Sequence, residues 1–73
     1  MIHPLIAELT EERHRQGLSL AEAAAAAGLT RMTIWRWENG VHVPGLLEAS
    51  MYAAALGYTL TLAPTREVTR GTA

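Results

Sequence analysis

Residues 18–40 read LSLAEAAAAAGLTRMTIWRWENG, and this segment predicts two short helices joined by a tight turn. Ser19 and Glu22 form a capping-box pattern, in which the serine hydroxyl accepts from the third helical amide and the glutamate reaches back to the cap amide. A run of alanine follows, and Gly28 can adopt the positive φ of a helix C-terminus. Thr30 then caps a helix over residues 31–39, which ends at an Asn-Gly pair.

Two further helices are predicted on either side of this segment. The first covers residues 4–16 and begins with a proline, which suits the first helical position. Its residues at helical spacing form one stripe: Leu5, Ile6, Leu9 and Arg13. The last helix begins at Pro44 and ends at Gly57. We expect its inward-facing residues to be Leu46, Leu47, Met51, Ala54 and Ala55.

The residues after Gly57 alternate in polarity and predict a single β-strand: Tyr58, Thr59, Leu60, Thr61 and Leu62. The sequence offers no second strand, so we expect the same strand of another copy to pair with it antiparallel about a two-fold axis. A fifth helix, or an extended flap on the same chain, is the alternative. We therefore divide the chain into a helical domain with its dimerisation strand (residues 1–63, the strand being 58–63) and a flexible tail (64–73).

The composition fits one small domain and argues against an enzyme. The chain has 73 residues, a formal net charge of −1, and no Asp, Lys or Cys. Disulfides and thiolate metal sites are therefore ruled out, and the three histidines lie in separate segments without metal-ligand spacing: His3, His14 and His42. We see neither a targeting segment nor a membrane span. The expectation is a cytoplasmic protein without catalytic activity, cofactor or metal.

Several residues at fixed spacing carry a resemblance to a known family: Ala24, Gly28, Leu29, Thr30, Ile34, Trp37, Glu38, Asn39, Gly40 and Pro44, followed by Ala55, Leu56 and Gly57. Over roughly residues 5–57 the chain resembles the Cro-type, lambda-repressor-like helix-turn-helix proteins of the xenobiotic-response-element family. The resemblance implies an all-α, compact four-helix domain that binds double-stranded DNA. A homodimer of this kind reads a palindromic operator, with half-sites about one helical turn apart.

The helix over residues 31–39 is then the one that enters the major groove. We expect Ile34, Trp37 and Val41 to face the core, which leaves four residues to contact bases: Arg31, Met32, Thr33 and Arg36. An arginine can donate two hydrogen bonds to O6 and N7 of guanine. The residues expected at the DNA backbone are Ser19, Trp35 and Asn39.

The chain departs from the family at Leu20, where many members carry a glutamine that contacts a phosphate. A leucine cannot donate that hydrogen bond, so the backbone amides or Ser19 at the same helix N-terminus must take its place. Because few cations lie near the predicted face, we expect a shallow dependence of DNA affinity on salt.

The family also often joins the positions of Arg13 and Glu38 by a largely buried ion pair between the first and third helices, which implies a structural role for both. Two unrelated surface charges are the alternative. Two other functions remain open for a module of this size: an antitoxin that binds its own operator and a toxin protein, and a protein-docking module that binds no DNA.

Overall fold

The computed structural model of the chain describes residues 1–61, which form four helices: Pro4–Arg15 (α1), Leu20–Ala27 (α2), Arg31–Glu38 (α3) and Leu46–Ala55 (α4). The all-α class and the four predicted helices are confirmed. Leu62, the end of the predicted domain at residue 63 and the predicted tail (64–73) lie outside the described residues. None of the helices in the described range is long and apolar enough to cross a membrane.

The turn between α2 and α3 forms as the sequence predicts. Ser19 Oγ accepts from the amide of Glu22 at 3.0 Å, and the amide of Ser19 donates to Glu22 Oε1 at 2.8 Å. Gly28 ends α2 with φ +73°, and Thr30 Oγ1 accepts from the amide of Thr33 at 3.1 Å to begin α3. Local hydrogen bonds at both ends of the turn therefore fix the path of the chain from one helix to the next.

A small core lies where α2 packs against α3 and α4, and α1 packs against α3. Its buried members are Ile6, Leu9, Ala23, Ala24, Ile34, Trp37, Tyr52, Ala53 and Leu56. Alanines on both α2 and α4 let these helices approach closely, and the rings of Trp37 and Tyr52 meet with centroids 5.9 Å apart. The buried side of α3 is thereby fixed, so its other side must face solvent.

The predicted inward face of α4 is wrong. Leu46 and Leu47 are 80% and 70% exposed, Ala54 is exposed, and Met51 and Ala55 are only half-buried. The helix begins at Leu46 rather than at Pro44, and the residues it buries are Ala49, Tyr52 and Ala53. Nearly every residue of LLEASMYAAA is apolar or small, so the hydrophobic period does not define which side faces the core.

The inward position predicted for Val41 is also wrong, because this side chain is 54% exposed. The prediction extended the helical spacing of Trp37 by four residues. In the structure α3 ends at Glu38, and Gly40 turns the chain with φ +74°. The spacing of a helix therefore no longer applies at Val41.

The strand predicted after Gly57 is not present in the single chain, where residues 58–61 are neither helix nor strand. The amide of Tyr58 donates to the carbonyl of Ala53, and Leu60 packs against the core. A ladder of hydrogen bonds requires a second strand, and none is formed among residues 1–61. The segment instead follows α1 on its own chain, as in the alternative of an extended flap.

Candidate functional site

The solvent side of α3 presents five residues that follow one another at helical spacing. Ile34 and Trp37 are buried on the opposite side and hold the helix in place. The exposed residues, which we call the outer face of α3, are Arg31, Met32, Trp35, Arg36 and Asn39. This face includes three of the four predicted base-contacting residues and two of the three predicted backbone-contacting residues.

Arg31 and Arg36 carry the positive charge of the outer face. The salt bridges within residues 1–61 join Arg13 to Glu38 and Arg15 to Glu12, so neither Arg31 nor Arg36 has a carboxylate partner there. Each guanidinium keeps its five N–H donors and its fixed charge. The outer face therefore offers donors and positive charge to a ligand that carries acceptors and negative charge.

The acidic residues of α1 lie on a different surface. Glu8, Glu11 and Glu12 line a groove between α1 and residues 58–61. Hydrogen bonds from Arg15 and then from Gln16 lower the pKa of Glu12 to about 2, so this carboxylate keeps its charge in mild acid. Within residues 1–61, these three carboxylates therefore lie apart from Arg31 and Arg36.

An apolar groove of about 370 Å³ adjoins Arg31 and connects the start of α2 with the outer face of α3. Leu20, Met32 and Trp35 line it together with Arg31, and we call it the Leu20 groove. Met32 is 53% and Trp35 is 44% exposed, whereas Leu20 is half-buried. The sequence predicted only that Leu20 cannot donate a hydrogen bond to a phosphate. Its contact with α3 was not predicted, because this contact depends on the angle between two helices and not on local spacing.

The remaining predicted contact residues already make hydrogen bonds within the chain. Thr33 is half-buried and its hydroxyl lies 2.7 Å from that of Thr30, while Ser19 Oγ accepts from the amide of Glu22. Asn39 donates from Nδ2 to the carbonyl of Trp35 at 2.9 Å. The second N–H of Asn39 Nδ2 is not used in this bond, so this side chain retains a donor for an external partner.

The structure brings Arg13 and Glu38 together in a buried, two-pronged ion pair. Arg13 Nε donates to Glu38 Oε2 at 3.0 Å and Arg13 Nη2 donates to Oε1 at 2.9 Å, with the two side chains 8% and 9% exposed. Arg13 Nη1 also donates to the carbonyl of Leu18 at 2.8 Å. The hydrogen bond to Glu38 raises the pKa of the Arg13 guanidinium. The pair attaches the end of α3 to α1.

Tyr52 also belongs to this cluster, and its role was not predicted from the sequence. Its hydroxyl donates to Glu38 Oε2 at 2.7 Å, which links α4 to the same carboxylate. Burial, followed by the hydrogen bond to Glu38, raises the pKa of the Tyr52 phenol. No local pattern could have identified it, because nearly every residue of α4 is apolar or small and the partner of Tyr52 lies 14 residues away. Two helices, α1 and α4, therefore hold the end of α3 and support its outer face.

The chain matches the model of a known protein family. A family model described as "Helix-turn-helix" matches residues 9–62, well over half of the chain. This range includes α2, α3 and α4, the outer face of α3 and the cluster around Glu38. No curated protein and no solved structure matches the chain.

Proposed function

This chain belongs to the helix-turn-helix family of Cro and lambda-repressor type, whose members are DNA-binding regulators and not typically enzymes, and we propose that it is a transcriptional repressor that reads its operator with the outer face of α3. The ligand is double-stranded DNA. The helix docks in the major groove with the base-contacting residues of the N-terminal half of α3 toward the base edges.

The single observation that supports this proposal most strongly is the pair of unpaired arginines on a solvent-facing helix. Arg31 and Arg36 lack carboxylate partners within residues 1–61 and lie on the side opposite the buried Ile34 and Trp37. Duplex DNA supplies acceptors and negative charge to both arginines, because guanine presents two acceptors in the major groove and phosphates surround the groove. Arg31 and Arg36 read guanine, and Met32 and Thr33 contact the neighbouring bases.

The contacts to the DNA backbone come from both helices of the motif. The first amides of α2 point out of its N-terminus, where a phosphate is favoured, and Ser19 lies at the same end of the helix. Trp35 packs on a sugar or donates its indole N–H to a phosphate, and Asn39 contacts the backbone at the far end of α3. Leu20 supplies no donor, so affinity depends on base contacts more than on phosphate contacts.

We further propose that two copies act together as a homodimer on a palindromic operator. Thr59 and Leu60 make no backbone hydrogen bond within the part of the chain that the structure describes. Pairing of residues 58–62 with the same residues of a second copy would supply these bonds and cover the exposed side of Tyr58. Two recognition helices would then read half-sites separated by about 34–36 Å.

The experiment that tests the proposal is selection of bound duplexes from a random DNA pool at low ionic strength. We expect enrichment of one sequence that contains guanine in each of two symmetry-related halves. An absence of enrichment for any sequence would contradict sequence-specific binding. Enrichment of a single, asymmetric site would support the DNA-binding proposal and contradict the homodimer.

A further inference from the structure

The Leu20 groove has exposed apolar side chains beside Arg31 of the outer face, and this exposure requires an explanation. Met32 and Trp35 lie on the solvent side of α3, where a helix that only contacted polar base edges and phosphates would carry polar residues. Leu20 meets them from the first position of α2. The three side chains thus form one apolar surface contributed by both helices of the motif.

The position of the groove limits what can occupy it. Arg31 forms part of its lining and has no carboxylate partner among residues 1–61, so the occupant must place an apolar group next to an acceptor or a negative charge. An apolar protein segment satisfies the first condition, but it satisfies the second only where a carbonyl or a carboxylate lies beside Arg31. A base-pair edge in the major groove satisfies both conditions when a pyrimidine carries a methyl group beside a guanine.

On the basis of the proposed function, we propose that the Leu20 groove binds the 5-methyl group of a pyrimidine that neighbours the guanine held by Arg31. Thymine and 5-methylcytosine carry the same methyl group at the same ring position, so either base supplies this ligand. The groove, at about 370 Å³, is larger than a methyl group and admits the edge of the base that carries it. The methyl group then leaves water and contacts Leu20, Met32 and Trp35.

The methyl contact gives a role to the leucine at the first position of α2, where the helix N-terminus favours a phosphate. A residue that cannot donate to a phosphate is useful at the start of α2 if it contacts an apolar group on a base. Leu20 then makes no contact with a phosphate, but its contact with the methyl group distinguishes bases with and without that group. Burial of one methyl group corresponds to about fourfold in the dissociation constant.

The test uses the duplex obtained by random-pool selection and changes one methyl group at a time. In one arm each thymine is replaced singly by uracil, and in the other each cytosine is replaced singly by 5-methylcytosine. We expect affinity to follow the methyl group at one position in each half-site: uracil weakens binding about fourfold, or 5-methylcytosine strengthens it about fourfold. The arm that responds identifies the base that supplies the methyl group.

Two variants connect that response to the groove. Met32→Ala shortens a side chain that is more than half exposed, so the fold is preserved, and we expect the affinity ratio between methylated and unmethylated duplexes to fall to about one. Leu47→Ala is the matched control, because it removes an exposed leucine outside the groove and should leave the ratio unchanged. Circular dichroism verifies that both variants are folded.

The outcomes separate this inference from the proposed function. If the unmodified duplex is bound but no methyl substitution changes affinity, the inference is wrong while DNA binding stands, and a protein partner becomes the occupant to consider. A methyl effect that persists in Met32→Ala also overturns it, since the groove is then not its source. If no duplex is enriched at all, both proposals fail.

Discussion

At the scale of single residues, Glu38 determines how firmly the outer face of α3 is held. It accepts two hydrogen bonds from Arg13 and one from Tyr52, so side chains of α1 and α4 converge on this carboxylate of α3. A buried ion pair is not by itself a large gain in stability, because both charges lose their hydration. Removal of one partner is different, since it leaves the other charge buried without compensation.

We therefore expect Glu38→Ala to lower the free energy of unfolding by about 3–5 kcal/mol, because it leaves the Arg13 guanidinium without its carboxylate. Urea denaturation monitored by circular dichroism measures this loss. Arg15→Ala is the control, because this arginine is exposed and pairs with Glu12 at the surface, and its variant should unfold near the wild-type midpoint. Equal midpoints for wild type and Glu38→Ala would show that the pair is not buried in solution.

Tyr52 makes the free energy of unfolding depend on pH in the alkaline range. Its pKa is raised in the folded state, so above the ordinary tyrosine pKa of about 10 the unfolded chain ionises while the folded chain does not. The contribution of the neutral Tyr52 phenol to the free energy of unfolding is therefore complete below pH ~10 and is lost as the pH rises further. We expect Tyr52→Phe to remove most of the decrease between pH 9 and pH 11 while losing about 1.5–3 kcal/mol at pH 7, where its hydrogen bond to Glu38 is missing.

Urea titrations of both proteins across this pH range measure the effect. An identical alkaline decrease in wild type and Tyr52→Phe would mean that other groups cause it.

At the scale of secondary-structure elements, α2 and α3 were predictable because their ends are set by local chemistry. The capping box of Ser19 and Glu22 and the left-handed Gly28 act over three or four residues, and sequence spacing captures such interactions directly. The orientation of α4 was not predictable, because nearly all its residues are apolar or small and only contacts with α2 and Glu38 determine that Tyr52 turns inward. The Leu20 groove escaped prediction for the same reason, since two separate helices form it.

The capping box makes α2 sensitive to acid. Hydrogen bonds from the Ser19 amide and hydroxyl lower the pKa of Glu22. The contribution of this carboxylate to the free energy of unfolding is therefore present at neutral pH and is lost as the pH falls below the ordinary glutamate pKa of about 4.3. We expect Ser19→Ala to lower stability by about 1 kcal/mol at pH 7. Glu22→Gln should reduce the loss of stability between pH 5 and pH 3 seen by thermal denaturation. A steeper loss in this variant than in wild type would contradict the assignment.

At the scale of the whole molecule, the arrangement of charge matters more than its sum. The carboxylates of α1 line a groove against residues 58–61, while the outer face of α3 carries two arginines without carboxylate partners in the described chain. With so few cations at the face, few phosphates are neutralised, and the affinity for DNA should decrease only gradually with salt concentration. Specificity then depends on base contacts, which a pair of symmetry-related copies doubles.

The proposed dimer is tested through two backbone amides of the segment after Gly57, those of Thr59 and Leu60, which lack acceptors within residues 1–61. Neighbouring amides of a strand point to opposite sides, so one of the two must face the partner copy. We expect sedimentation to show a dimer for wild type, and one of Thr59→Pro and Leu60→Pro to shift it to monomer, because proline removes the donor. Thr59→Ala keeps the amide and should remain dimeric. A wild-type monomer at high concentration would exclude the dimer.

The most direct test of the central claim is the affinity of arginine variants for the selected duplex. Each of Arg31→Ala and Arg36→Ala should weaken binding by about 1–3 kcal/mol and remove the preference for guanine at one position, with unchanged unfolding curves. Arg15→Ala, an exposed arginine on α1, should bind as wild type does. If both outer-face variants bind the duplex with wild-type affinity and the same preference for guanine, α3 does not read DNA.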